Sequence, residues 1–187
     1  IPVFDTSDLK PVSYKELLGL PEDDFVIIHT GNIRISTRCL DKFLEALCLL
    51  PDNFHSVFVG TGETTQLLSL AEKLGVKGRV HCLGFVPHEK LIKYIKGAHI
   101  GISLITLEQD HYKYTIANKY FEYIVAGVPQ LASNTPAQKR YMDEFQFGLS
   151  VDPKEAAQIK RSLMMIEENY KVYEENTQKA SKSFQWG

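Results

Sequence analysis

Asn118, Lys119 and Glu122 stand in the stretch NKYFEYIVAGVPQLAS, residues 118–133, and are the residues whose types and spacing most directly suggest chemistry. Separations of three and four residues bring helical side chains to one side, so these three can point from the first turns of a helix towards one place at its N-terminus. The apolar residues Ala117, Tyr120, Phe121, Ile124 and Val125 recur at helical spacing from Ile116 and form the expected buried stripe; Gly127 and Pro129 end the helix. The ordinary alternative is a solvated face carrying a Lys119–Glu122 surface pair. Against it, a lysine in the first turn opposes the helix dipole, and lysine before glutamate is the weaker order for a helical pair. A lysine beside unpaired amides at a helix start suits a bound anion, above all a phosphate, with a carboxylate one turn on to accept bonds from ribose hydroxyls.

Such residues need a scaffold, and the chain can build one. Its 187 residues, 44% hydrophobic and 24% charged, suit one soluble domain with a full core. A formal net charge of −2 provides no broad basic field, which argues against a nucleic-acid partner. Cys39, Cys48 and Cys82 are odd in number and without paired spacing, so they read as small core residues of a reducing compartment, with neither disulfides nor zinc. His29, His55, His81, His88, His99 and His111 show no metal-ligand spacing and read as strand-end or surface residues. No metal site and no cofactor is expected. No apolar run reaches the length of a bilayer span and no signal-peptide pattern is recognisable, so the expected location is the cytoplasm.

The positioning elements follow in chain order. A short helix over 13–20 precedes the apolar run FVIIHT, 25–30, a strand of the buried type that Gly31 ends in a polar turn. A helix over 38–50, the strand SVFVG at 56–60, a helix over 63–74, the strand VHCL at 80–83, a helix from Pro87 to Lys96 and the strand HIGISLI at 99–105 come next. The strand PQLAS, a last strand at 148–152 and two amphipathic helices, 154–168 and 170–182, finish the chain, with Trp186 expected to pack on the last of them. This alternation predicts an α/β fold, a Rossmann-like doubly wound parallel sheet covered on both faces. Ligands of such sheets bind at the carboxyl edge of the strands. Here that edge comprises the turns after Thr30, Gly60 and Leu83, the loop 106–115 and the start of the Asn118 helix.

With these elements placed, the phrases HTGNIRISTRCLDKFLEAL, VFVGTGE, LAEKLGVKGRVHCLGFVPHEKL, AHIGISLI, NKYFEYIVAGVPQLAS and FGLSVDP, taken together, give the chain a family likeness. Over nearly its whole length it resembles the C-terminal, donor-binding half of GT-B fold retaining glycosyltransferases, the group 1 family that includes sucrose synthases and bacterial cell-surface sugar transferases. The resemblance implies that Glu122 holds the ribose hydroxyls of a nucleotide diphosphate sugar and that amides at the start of its helix, with Asn118 and Lys119, take the diphosphate. It implies that Gly84, Phe85 and Val86 recognise the base. The turn after the first strand, beginning at Gly31, usually supplies an arginine and then a lysine; here those positions hold Asn32 and Arg38, and only Arg34 could stand in for the missing arginine. Many relatives carry a second glutamate eight residues before the ribose one, where this chain has Tyr114. His111, Tyr112, Lys113 and Tyr114 form a polar, aromatic loop expected beside the site.

The implied activity is transfer of a glycosyl group to a hydroxyl of a glycan or lipid-linked acceptor, with Lys119 and Arg38 stabilising the departing diphosphate. The opening IPVFDTSDLKP and the missing initiator Met give the expectation of a fragment: residues 1–12 an interdomain linker, residues 13–187 the nucleotide-sugar-binding domain, and the acceptor domain elsewhere. The full-length protein could then associate peripherally with the inner face of a membrane. Two other readings share the architecture, a nucleotide-sugar epimerase and a non-catalytic nucleotide-binding or scaffold domain, the latter favoured by Asn32 in place of arginine.

Overall fold

The apolar runs become six strands and the amphipathic segments between them become helices in the computed structural model of the chain, which describes residues 8–184. In order these are α1 (Tyr14–Leu18), β1 (Phe25–Thr30), α2 (Leu40–Leu49), β2 (Phe54–Val59), α3 (Thr64–Lys73), β3 (Val80–Gly84), α4 (His88–Lys96) and β4 (Ile100–Ser103). There follow α5 (Asn118–Val125), β5 (Gln130–Ser133), α6 (Pro136–Phe145), β6 (Gly148–Val151), α7 (Ala156–Glu168) and α8 (Tyr170–Phe184). Residues 1–7 of the expected linker, and Trp186, lie outside the described residues. The rest of that linker touches the domain, for Val12 N donates to the carbonyl oxygen of Lys93 in α4 at 2.9 Å.

Every strand pairs in parallel, and the sheet order is β3-β2-β1-β4-β5-β6. Successive side chains of β1 point to opposite faces. Phe25 and Ile27 meet α2, α3 and α7 in one core, whereas Val26 and Ile28 meet α1, α4 and Tyr123 of α5 in the other. A third cluster, with Tyr120, Ile124, Met142, Phe147 and Ala180, seats α5, α6 and α8 on the far end of the sheet. The chain winds outward from β1 to β3 and returns to the other side of β1 with β4, so the strand order reverses there and a crevice opens at the carboxyl edge.

Three sequence expectations change. Helix α6 was not foreseen: PAQKRYMDEF has little apolar periodicity, and the helix starts on Thr135, whose side chain accepts from Gln138 N, with Pro136 at its first position. The buried stripe of α5 is rotated from the expected one. Lys119, Tyr120, Tyr123 and Ile124 are buried, while Ala117, Phe121 and Val125 are only half-buried. Of the cysteines, Cys39 is a buried core residue, Cys82 is half-buried and Cys48 is exposed on α2. Among the described residues no helix is long and apolar enough to cross a membrane.

Tyr123 fixes α5 to the sheet. Its hydroxyl accepts from Thr30 N at 3.2 Å and faces the carbonyl oxygens of Ile102, 3.2 Å, and Ile28, 3.3 Å, so it bridges β1 and β4 at the place where the order reverses. Its ring rests on Gly101, where an added Cβ would lie 2.5 Å from two ring carbons. Gly101→Ala is therefore expected to lower stability by about 1–3 kcal/mol through overpacking. Urea unfolding should show a lower midpoint at an unchanged slope.

Candidate functional site

The carboxyl edge holds a cavity of about 380 Å³ at the reversal of strand order. Thr30, Gly31, Asn32 and Arg38 border it from the segment after β1, and Val59 and Gly60 from the end of β2. Phe85, Val86, His88 and Leu91 border it from β3's exit and α4, and Ala117, Asn118, Lys119 and Glu122 from the start of α5. A slightly larger cavity, about 410 Å³, lies at the amino edge between the turn before β5 and α8 and is bordered by none of the expected donor-binding residues.

Backbone contacts make the first wall firm. Gly31 N donates to Val59 O at 2.9 Å, Ile33 N to Thr61 O at 2.8 Å and Glu63 N to Ile33 O at 2.8 Å. The Glu63 carboxylate accepts from Ile35 N at 2.7 Å. These bonds lock the turn after β1 onto the turn after β2. The approach is so close that a Cβ on Gly60, whose φ is 151°, would lie 1.9 Å from the Gly31 carbonyl oxygen. Only glycine fits there. The locked turn presents Asn32 and Arg38 to the cavity, while Arg34 is exposed and does not border it.

The second wall is the start of α5. Its N-cap, Ala117, contributes no side-chain bond, and the first amides of a helix have no intrahelical partner. Asn118 is exposed at this end. Lys119 is not a solvated cation: it is 6% exposed, and its Nζ lies 3.2 Å from Nε2 and 3.5 Å from Nδ1 of His29. Burial pushes the Lys119 ammonium well below the usual lysine range; nearby Arg38 adds to the effect and Glu122 opposes it. Burial likewise holds His29 well below the usual histidine value, helped by Lys119 and opposed by the bond to the Asn32 carbonyl oxygen. Glu122 is not one half of a Lys119–Glu122 surface pair: its Oε1 lies 3.1 Å from Nε2 of His88, the first residue of α4.

Several expected site residues thus converge, and others do not. Gly31, Asn32, Arg38, Phe85, Val86, Asn118, Lys119 and Glu122 share the cavity. Gly84 stands behind it, its carbonyl oxygen accepting from Gly60 N at 2.8 Å, and so supports the wall without bordering the space. The loop 106–115 does not border it either; its residues Asp110–Tyr114 form a 3-10 turn against α6, with Tyr114 80% exposed. Sequence reasoning read His29 and His88 as strand-end or surface residues and gave them no part in the site, whereas they contact Lys119 and Glu122. The sheet order was the missing clue, because it is what sets β1 and α4 beside α5.

A doubly wound domain with a crevice at the carboxyl edge of its sheet is the class that the fold defines. The family model for glycosyl transferases group 1 matches residues 13–183, and the chain belongs to that family. Its fold is that of the C-terminal domain of GT-B glycosyltransferases. It is similar to HepE of Anabaena in complex with UDP-glucose, at a TM-score of 0.75 and 16% identity, over 90% of this chain and 45% of that one. It is similar to the C-terminal domain of the group 1 family protein LpcC of Francisella tularensis, at 0.72 and 16%, over 96% of this chain and 95% of that one. WaaG, a glycosyltransferase involved in lipopolysaccharide biosynthesis, aligns at 0.72 and 20%, over 90% of this chain and 45% of its own. The chain therefore spans a little under half the length of HepE and WaaG. No curated protein matches it.

The buried Lys119–His29 contact has a consequence for folding. Both groups bind a proton more weakly in the folded than in the unfolded chain, so the unfolded state holds more protons and stability rises with pH. The His29 contribution is lost as pH falls below about 6.5, and the Lys119 contribution grows up to about pH 10.4, the unfolded values. Urea midpoints measured from pH 7 to 9.5 should rise for the wild type and stay flatter for Lys119→Met.

Proposed function

We propose that this chain is the donor-binding half of a glycosyltransferase that moves a sugar from a nucleotide diphosphate sugar to a hydroxyl of a glycan or lipid-linked acceptor. The observation that carries the reading is the convergence of Asn32 and Arg38 on the locked β1 turn with Asn118, Lys119 and Glu122 at the uncapped start of α5. In this reading the first-turn amides of α5, Arg38 and Lys119 take the diphosphate and stabilise it as it departs. Glu122, held by His88, receives the ribose hydroxyls. Phe85, which is 74% exposed, and Val86 lie where a base would rest. HepE's complexes with UDP and UDP-glucose support a uridine nucleotide as the first ligand to try.

The acceptor site belongs to a second domain in this reading, so the 187-residue chain binds donor and transfers nothing by itself. Retention at the anomeric carbon and work at the inner face of a membrane are further parts of the proposal, resting on the family likeness. One observation favours the non-catalytic alternative: Asn32 occupies the usual arginine position and Arg34 stays outside the cavity. Titration with UDP, GDP and ADP separates a donor domain, which binds at least one of them, from a scaffold that binds none; a non-catalytic domain that still binds nucleotide is separated by assaying sugar transfer in the full-length protein.

Substitutions sharpen the test. Glu122→Ala should weaken nucleoside diphosphate binding by about 1.5–3 kcal/mol, the value of hydrogen bonds to a charged acceptor, with little effect on the urea midpoint. Arg38→Ala should lose much more affinity than Asn32→Ala, because only the former removes a charged donor. Asn32→Arg should tighten diphosphate binding more than nucleoside binding, with a gain that shrinks as salt is added. Equal affinities for diphosphate and nucleoside in both proteins would remove the phosphate from this turn.

A further inference from the structure

The Glu122 carboxylate borders the cavity with one of its oxygens already engaged. Its Oε1 lies 3.1 Å from Nε2 of His88, which borders the same space from the other side of the crevice. The Glu122 side chain is 11% exposed and that of His88 54%. An ionised carboxylate only accepts, so Nε2 of His88 carries the hydrogen and donates it. Two acceptor oxygens belong to a carboxylate, and the bond to Oε1 leaves Oε2 to meet a ligand.

Both partners stand on firm backbone. His88 opens α4 directly after Pro87, and Ile92 and Ile95 seat that helix on the sheet. Glu122 immediately precedes Tyr123, whose hydroxyl contacts β1 and β4. The bond therefore ties the start of α4, and with it the neighbouring Phe85 and Val86, to the helix that carries Glu122.

A loose glutamate samples many rotamers, and ordering it on binding costs free energy. The bond to His88 sets that order before a ligand arrives. It also denies the carboxylate a retreat. When an arriving sugar lacks a hydroxyl at this place, a held carboxylate is left desolvated and unpaired, whereas a loose one turns back to water. Discrimination against the wrong sugar thus depends on what holds the acceptor as much as on the acceptor.

We propose that His88 is a positioning residue that makes this crevice prefer a ribonucleotide to a deoxyribonucleotide, by holding Oε1 of Glu122 so that Oε2 receives a ribose hydroxyl. The inference rests on the reading of the cavity as a nucleoside diphosphate site with Glu122 at the ribose. Ribose hydroxyls are uncharged and approach the open oxygen, so the bond to His88 persists in the complex. His88 acts on the sugar only through Glu122.

Titration calorimetry of the chain with UDP, GDP and ADP, each against its deoxyribose form dUDP, dGDP or dADP, reads the preference as a ratio of affinities. For whichever base binds, the wild type should favour ribose by about tenfold or more, the worth of a hydrogen bond to a charged acceptor. His88→Ala should weaken the ribose form and leave the deoxyribose form nearly unchanged, bringing the ratio to about threefold or less, with the urea midpoint unmoved. His88→Gln, whose amide donates from a similar position, should keep the wild-type ratio. In a Glu122→Ala background, His88→Ala should change nothing further. A wild-type ratio in His88→Ala, equal weakening of both forms, or tighter ribose binding because His88 competed for the carboxylate, overturns the inference and leaves the diphosphate site standing. Equal affinity of the wild type for ribose and deoxyribose forms removes the ribose from Glu122 and the inference with it. Failure of all three diphosphates to bind overturns the inference together with the reading beneath it.

Discussion

The bridge made by the Tyr123 hydroxyl between Thr30, Ile28 and Ile102 is the constraint on which the rest of the site depends. In a sheet whose order reverses between β1 and β4, the two strands diverge at their carboxyl ends and expose backbone groups that no neighbouring strand satisfies. A phenol from α5 meets them, at a point where an apolar side chain would leave them unpaired. The consequence is geometric. Because Tyr123 is pinned, the residues that precede it in α5 are pinned as well, which places Asn118, Lys119 and Glu122 at the mouth of the crevice. Gly101 is the matching concession in β4, keeping the space that the ring occupies.

Around this anchor the domain separates stiff backbone from adjustable charge. The β1 and β2 turns are locked by reciprocal amide bonds and by the Gly31–Gly60 approach, so the wall facing α5 has little freedom to shift. Charge, by contrast, is held in short-range pairs, with Lys119 on His29 and Glu122 on His88. Neither pair joins opposite charges that are fixed at all pH values, so a ligand with stronger charges can compete for either member. A rigid wall with exchangeable partners suits a site that binds an anion and releases it again.

Much of this was legible in the sequence because it depends on local pattern. The apolar runs read at 25–30 and 56–60 are strands, the second observed at 54–59, since their residues are buried on both faces, and Gly31 and Gly60 mark the tight turns that follow. The convergence of Asn118, Lys119 and Glu122 follows from helical spacing alone. What was not legible depends on distant partners. Tyr123 escaped the predicted stripe because its burial is supported by backbone atoms of strands, 93 residues away in the case of Thr30. Lys119 escaped because a lysine counted as polar is expected at the surface, whereas the sheet order brings His29 beneath it. Helix α6 was missed because its stability comes from a cap and from contacts such as Tyr120 Oη donating to the Gln138 carbonyl oxygen at 2.7 Å, rather than from a stripe of its own.

The central claim is that the carboxyl-edge cavity, and not the amino-edge one, receives a nucleoside diphosphate. An amide-resolved NMR titration of the chain with UDP tests it most directly. The account predicts that the largest shifts fall on Gly31, Asn32, Phe85, Asn118 and Lys119, the walls of one cavity. Shifts concentrated instead on Gly127, Val128, Gln178 and Ser181, which border the cavity beside α8, would contradict it.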